Sequence, residues 1–139
     1  MSFELIDYSD IYFRRIKKVE MPQRRGGKFV QIINEDIEKE YVVLSPKELS
    51  VYHANIVERF CMMQKIDGSY NSKKDFFTIH DDDWVVVGGG IWVVDDDKKA
   101  LELSGASKGY GTFEAQGLKR KIEEAAAFPG GYSLLVNGF

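Results

Sequence analysis

The chain has 139 residues, one ordinary domain's length, and is long enough to bury about two-thirds of its unfolded surface. Hydrophobic content of 44% and aromatic content of 13% exclude a disordered chain, and no apolar run approaches the roughly 20 residues that cross a bilayer, so no membrane partner is expected. The net charge of −3 conceals +3 over residues 1–28 and −6 beyond them. Arg14, Arg15, Lys17, Lys18, Arg24 and Arg25 make up most of that basic segment, which reads as a solvated face or as a dock for an acidic partner. No base-stacking motif accompanies it, so nucleic acid is not expected. Met1-Ser2-Phe3-Glu4 begins no signal peptide. The single cysteine, Cys61, excludes an intramolecular disulfide and reads as packed. A cytoplasmic monomer is the expectation.

Taken in order, Phe3–Ile6 reads as a short strand and Ile11–Ile16 as strand or helix, ending in a loop from Pro22 to Gly27. Lys28–Ile33 has the bulk and alternation of a strand. After a turn at Asn34-Glu35-Asp36, Tyr41–Leu44 reads as another strand, and a helix is expected from Ser45 to about Gln64. Ser45 suits the N-cap, Pro46 the first helical position and Glu48 the third, a capping box with Leu44 and Leu49 as its staple. Leu49, Tyr52, Ile56, Phe60 and Met63 would form the apolar face, with His53 on its margin. Asp67–Ser72 is turn chemistry. Asp75–His80 and Trp84–Val87 read as strands, and Gly88-Gly89-Gly90 as a bend or a close backbone approach. Ile91–Val94 and Ala100–Leu103 form a hairpin around Asp95–Lys99. A small-residue loop, Ser104–Thr112, feeds a second helix from about Phe113 that ends at Pro129-Gly130-Gly131, and Tyr132–Val136 closes the chain as a strand. The sum is a single-domain α/β fold, with a mixed β-sheet of about six strands and two main α-helices packed on it.

Two features could carry chemistry. His53 is either a boundary residue of the core or a general base or nucleophile, for which an ordinary imidazole titration suits neutral pH. The loop around Gly105, Ala106, Ser107, Lys108 and Gly109 is either plain connection or an oxyanion cradle of backbone N–H groups at a helix start, with a hydroxyl and an ammonium added. It is neither a Walker loop nor a dinucleotide fingerprint. Lys28 is either an exposed strand end or a charge that steadies a phosphoryl group. His80 and the aspartates that follow match no metal spacing, so no metal and no cofactor are expected. Asp81–Asp83 and Asp95–Asp97 read as charged strand ends.

Tyr52-His53-Ala54-Asn55-Ile56, Gly88-Gly89-Gly90, Asp97-Lys98-Lys99, the loop Ser104–Gly111 and Asn137-Gly138-Phe139 follow one another in an order that resembles the Janus/Ocnus family, whose best-known member is a protein histidine phosphatase. The resemblance covers about residues 28–139, which leaves 1–27 as a variable N-terminal extension of one domain over 1–139. It implies metal-independent removal of phosphate from phosphohistidine in a protein substrate. The essential histidine would be His53, and Lys28, Ala106, Ser107, Lys108 and Gly109 would bind phosphate. The alternative within the same family is a regulatory module that binds a phosphoanion without turnover. Two positions depart from the family pattern: Ile91 stands where an arginine follows the three glycines, and Ser45 where a basic residue lies near the start of the first helix. The stretch between His53 and Gly88 is also longer than usual.

Overall fold

The computed structural model describes residues 1–138. Eight strands and two helices follow in the order β1 (Ser2–Asp7), β2 (Arg24–Asn34), β3 (Lys39–Pro46), α1 (His53–Gln64), β4 (Gly68–Tyr70), β5 (Phe77–Ile79), β6 (Trp84–Asp95), β7 (Ala100–Ser104), α2 (Leu118–Glu124) and β8 (Ser133–Val136). Six of the strands form one mixed sheet in the order β1-β3-β2-β6-β7-β8, and β4 and β5 pair separately. Pairs β1/β3 and β7/β8 are parallel and the other pairs are antiparallel. The expected single-domain α/β fold, a mixed sheet with two helices packed on it, is what the chain adopts.

The helices cover opposite faces, and the alternation of side chains in the central strands says why. Phe29, Val42, Leu44, Trp92 and Leu103 point to one face, where they pack with Leu118 and Ile122 of α2. Val30, Ile32, Tyr41 and Val43 point to the other, against Ala54, Ile56, Val57, Phe60 and Cys61 of α1. Strands apolar on both faces belong in the middle of a covered sheet, and each such side chain contributes about 1.5–3 kcal/mol by leaving water. Among the described residues no helix is long and apolar enough to cross a membrane.

Several boundaries differ from the sequence reading. The first helix begins at His53, eight residues after Ser45, because β3 runs on through Pro46 in register with β2. Leu49 and Ser50 both donate their N–H to the Pro46 carbonyl, at 2.9 and 3.1 Å, and the Ser45 hydroxyl bonds that of Ser50 at 2.7 Å instead of capping a helix. Ser-Pro-x-Glu here closes a turn of its own. The helix cap is Tyr52, in extended conformation, whose N–H donates to Asn55 Oδ1 at 2.9 Å. The buried face is also rotated from the expected one: Ile56 and Phe60 lie on it, but Tyr52 and Met63 are exposed and His53 is buried.

Ile11–Ile16 is a single π-helical turn, closed by Lys17 N–H to the Tyr12 carbonyl at 2.9 Å. Strand β2 starts at Arg24, so Lys28 lies inside a strand and not at its head. The turn-like residues Gly68–Tyr70 pair with Phe77–Ile79. The three glycines interrupt nothing, since β6 is continuous from Trp84 to Asp95, with a register shift opposite Gln31 and Ile32. The second helix is shorter than expected and begins at Leu118, after a left-handed Gly117. Asp96 does more than blunt a strand end: it pairs with Arg25 at 2.6 Å and accepts from Tyr132 Oη at 2.6 Å. Cys61 is buried, and burial pushes its thiol up to about 11, as a packed, unreactive cysteine requires.

Candidate functional site

Lys28 occupies the middle of a cross-strand row, Ser45–Lys28–Ile91–Ser104. The row lies on the α1 face, one step beyond Val30. The backbone here is fixed from the opposite face, where the buried Trp92 indole N–H lies 3.0 Å from the carbonyls of both Lys28 and Ser45. The Lys28 ammonium donates to the Val51 carbonyl at 2.7 Å, which ties it to the approach to α1.

His53 is the first residue of α1 and is only 8% exposed. Its ring lies against Gly89, where a Cβ would come within 2.8 Å of the imidazole Cδ2. A side chain at 89 would therefore take the ring's place. The ring Nε2 is 2.9 Å from the Gly90 carbonyl oxygen. A carbonyl only accepts, so Nε2 carries the proton and Nδ1 is left with the lone pair. Burial lowers the His53 pKa from 6.5; the Gly90 hydrogen bond opposes this, and the nearby Lys28 charge adds to it. The positive end of the α1 dipole acts in the same direction. A neutral imidazole with a fixed tautomer is the result.

The loop after β7 curls back beside β6. Ser107 and Gly111 exchange backbone hydrogen bonds at 2.9 and 2.8 Å, and Gly89 N–H reaches the Gly111 carbonyl at 3.2 Å. Gly88 makes this approach possible, because a Cβ there would overlap the Thr112 carbonyl. Gly111 itself has φ of 89°, a conformation that favours glycine. Ser107 is buried, and its Oγ accepts the Tyr110 N–H at 3.0 Å, leaving the hydroxyl proton free to donate. The Ser107 N–H is spent on Gly111, so it is not among the cradle's donors. The N–H groups of Ala106, Lys108 and Gly109 have no backbone partner among the described residues. Nor does a helix dipole back the loop, since α2 starts farther along the chain, at Leu118.

The loop is braced from outside by the β4–β5 segment. Tyr110 Oη donates to the Phe77 carbonyl at 2.7 Å and accepts the Phe77 N–H at 2.9 Å. Its ring stacks on Phe76 at 4.5 Å between centroids. Burial pushes the Tyr110 phenol up to about 12, so it stays protonated and able to donate.

All six residues singled out in the sequence, Lys28, His53, Ala106, Ser107, Lys108 and Gly109, line one pocket of about 580 Å³. Tyr52, Ala54, Asp75, Phe76 and Tyr110 complete its wall. Asp75 and Phe76 escaped the sequence reading as site residues. The adjacent aromatics Phe76-Phe77 in a polar stretch were the available signal, and only the fold shows that Phe76 faces the loop while Phe77 enters the core. The two departures fall on either side of Lys28: Ile91 is its neighbour on β6 and Ser45 its neighbour on β3. His80, away from the pocket, has its Nε2 2.9 Å from Ser69 Oγ. Among the described residues no three His, Cys, Asp or Glu side chains converge as a metal site.

A family model described as Janus/Ocnus family (Ocnus) matches residues 13–130. The chain belongs to the Janus/Ocnus family. The matched span contains the cross-strand row, the histidine and the loop that form the pocket. No curated protein matches the sequence. Within this Janus/Ocnus chain, the residues 1–27 expected as an extension hold β1, the π-helical turn and the first residues of β2.

Proposed function

We propose that this protein is a metal-independent protein histidine phosphatase that hydrolyses the P–N bond of phosphohistidine in a protein substrate. The observation that carries the reading is a buried, neutral imidazole with its tautomer fixed by Gly90, in the same pocket as a lysine and a loop with unspent N–H donors. Such a pocket suits a tetrahedral anion reacting at phosphorus, where preorganised donors and a nearby cation supply most of the stabilisation.

The phosphoryl oxygens bind the N–H groups of Ala106, Lys108 and Gly109, the Ser107 hydroxyl and the Lys28 ammonium. The His53 Nδ1 lone pair then has two uses. As a nucleophile it forms a P–N bond while the bond to the substrate imidazole breaks; the departing imidazole takes up a proton, and water cleaves phospho-His53. As a general base it removes a proton from a water that attacks phosphorus directly. Rapid quench of enzyme mixed with labelled phosphohistidine protein separates the two, since only the first route labels His53.

A second reading has its own observation. Ile91 and Ser45 leave Lys28 without a basic neighbour across the sheet, and binding of a phosphoanion tolerates that better than turnover does. The protein would then be a non-catalytic phosphoanion- or phosphoprotein-binding module of the Janus/Ocnus family. Release of inorganic phosphate from a phosphohistidine protein, measured alongside a phosphate-binding titration, decides between them. Turnover with EDTA present is the expected outcome; binding without release overturns the phosphatase reading.

A further inference from the structure

A second depression, of about 750 Å³, adjoins the His53 pocket and shares Lys28 with it. Its floor is the α1 face of the sheet where α1 no longer covers it. The cross-strand rows there are Lys28–Ile91, Gly26–Val93 and Arg24–Asp95. Ile91 is 46% exposed, Val93 37% and Val51, on the facing turn, 62%. Gly26 puts no side chain on the floor beside Val93, which keeps the groove open. From Lys28 to Arg24 the floor runs about 14 Å at the usual rise of about 3.4 Å per residue, room for four or five residues of extended chain.

The charges that line this floor are mostly basic. Arg24 and Lys47 have no ion-pair partner among the described residues, whereas Arg25 is already matched by Asp96 at 2.6 Å. Lys28 donates to the neutral Val51 carbonyl and has no carboxylate partner among the described residues. Glu48 is the one carboxylate in the lining, and Asp95, across from Arg24 at the end of the floor, is engaged by the Asp97 and Lys98 N–H groups at 3.1 and 3.2 Å. An apolar floor between unmatched cations fits an extended segment that alternates apolar and acidic side chains.

We propose that this groove binds the acidic, apolar-bearing segment of the substrate protein that flanks the phosphorylated histidine, an inference that rests on the phosphatase reading. The shared Lys28 places the flank's first residue beside the phosphoryl group. Apolar side chains of the flank meet Ile91 and Val93, and its carboxylates meet Arg24 and Lys47. Ile91 then has a role of its own, since an arginine at this position would remove the apolar end of the floor.

The test compares free phosphohistidine with two phosphohistidine peptides, one flanked by Glu-Leu-Glu-Leu and one by Lys-Ser-Lys-Ser. The wild-type KM is expected to be about tenfold lower for the acidic flank, a difference of about 1.4 kcal/mol. Val93→Glu and Lys47→Glu should each raise that KM about five- to tenfold and leave turnover of free phosphohistidine unchanged. Equal KM values for the two peptides, or variants that impair free phosphohistidine as much as the acidic peptide, would overturn the proposal. If the wild type turns over none of the three, the phosphatase reading fails, and fluorescence anisotropy of the unphosphorylated acidic-flank peptide decides the groove alone. Saturable binding weakened by Lys47→Glu supports it, and no binding ends it.

Discussion

The two faces of the sheet are built from the same strands and used differently. Under α2, apolar side chains run from Leu5 across Val42, Phe29, Trp92 and Leu103 to Leu134. Under α1 the apolar packing stops at Val30 and Val43, and the next row is Ser45–Lys28–Ile91. The helix that covers this second face begins with His53, so its first turn stands where the core gives way to polar groups. A core closed by apolar residues stabilises without choosing a ligand. A face left part-covered holds an imidazole and an ammonium at the edge of low dielectric, where their charges are felt more strongly.

The largest effect that would separate the faces is expected from His53→Ala. Phosphatase turnover should fall by a factor on the order of 10³ or more, the range for losing a base or nucleophile. Because the residue ends the core and does not fill it, thermal unfolding should show a folded protein. Wild-type-like turnover by that folded variant would remove His53 from the mechanism. Next is Gly89→Ala, whose Cβ would sit 2.5 Å from the Phe29 carbonyl and 2.8 Å from the His53 ring. Overpacking of this kind costs about 1–3 kcal/mol, and displacing the ring should lower turnover more than the stability loss explains. Gly130→Ala meets no atom within 4 Å and serves as the control. A Gly89→Ala protein with normal kinetics would mean that the ring's seat is not needed.

A smaller effect is expected from Tyr110→Phe, which removes both hydrogen bonds to Phe77 while keeping the stack on Phe76. Each hydrogen bond contributes about 1 kcal/mol. KM for the phosphorylated substrate should rise several-fold as the loop loosens, with a smaller change in kcat. An unchanged KM would show that the β4–β5 segment does not hold the loop in place.

Legibility differed between the faces for the same physical reason. Alternation in Lys28–Ile33 and Tyr41–Leu44 gave away the strands, and the spacing of Ile56 and Phe60 gave away α1, because burial imposes a period on the sequence. The pocket residues were legible by type: a histidine beside an apolar face, a glycine-rich loop and a strand lysine. What could not be read was where elements stop. Ser45-Pro46-x-Glu48 has the residues of a helix start, but continued pairing of Ser45 with Lys28 keeps it in the sheet. The three glycines look like a break, yet they stay in strand and admit the Thr112 backbone and the His53 ring from their sides. Asp75 and Phe76 reach the pocket through a hairpin whose register no local pattern announces.

The smallest expected effect is a displaced midpoint, and it tests whether the row's single lysine acts on the histidine through space. Burial is the main reason that His53 titrates below 6.5, with the Lys28 charge adding to it. In the proposed phosphatase mechanism the neutral imidazole is the working form, so the acid limb of kcat/KM should have its midpoint below 6.5 in the wild type. Lys28→Met removes one depressing cause and leaves burial, the largest, so the limb should move toward 6.5 without reaching it. Stability follows the same sign. The unfolded chain protonates His53 first as pH falls, so the folded state loses stability from about the unfolded pKa down to the folded one. In Lys28→Met that acid loss should be shallower, as measured by urea midpoints across the range. Turnover of the variant will also drop, but a limb that keeps its wild-type position would show that the two groups share a pocket without sharing a field.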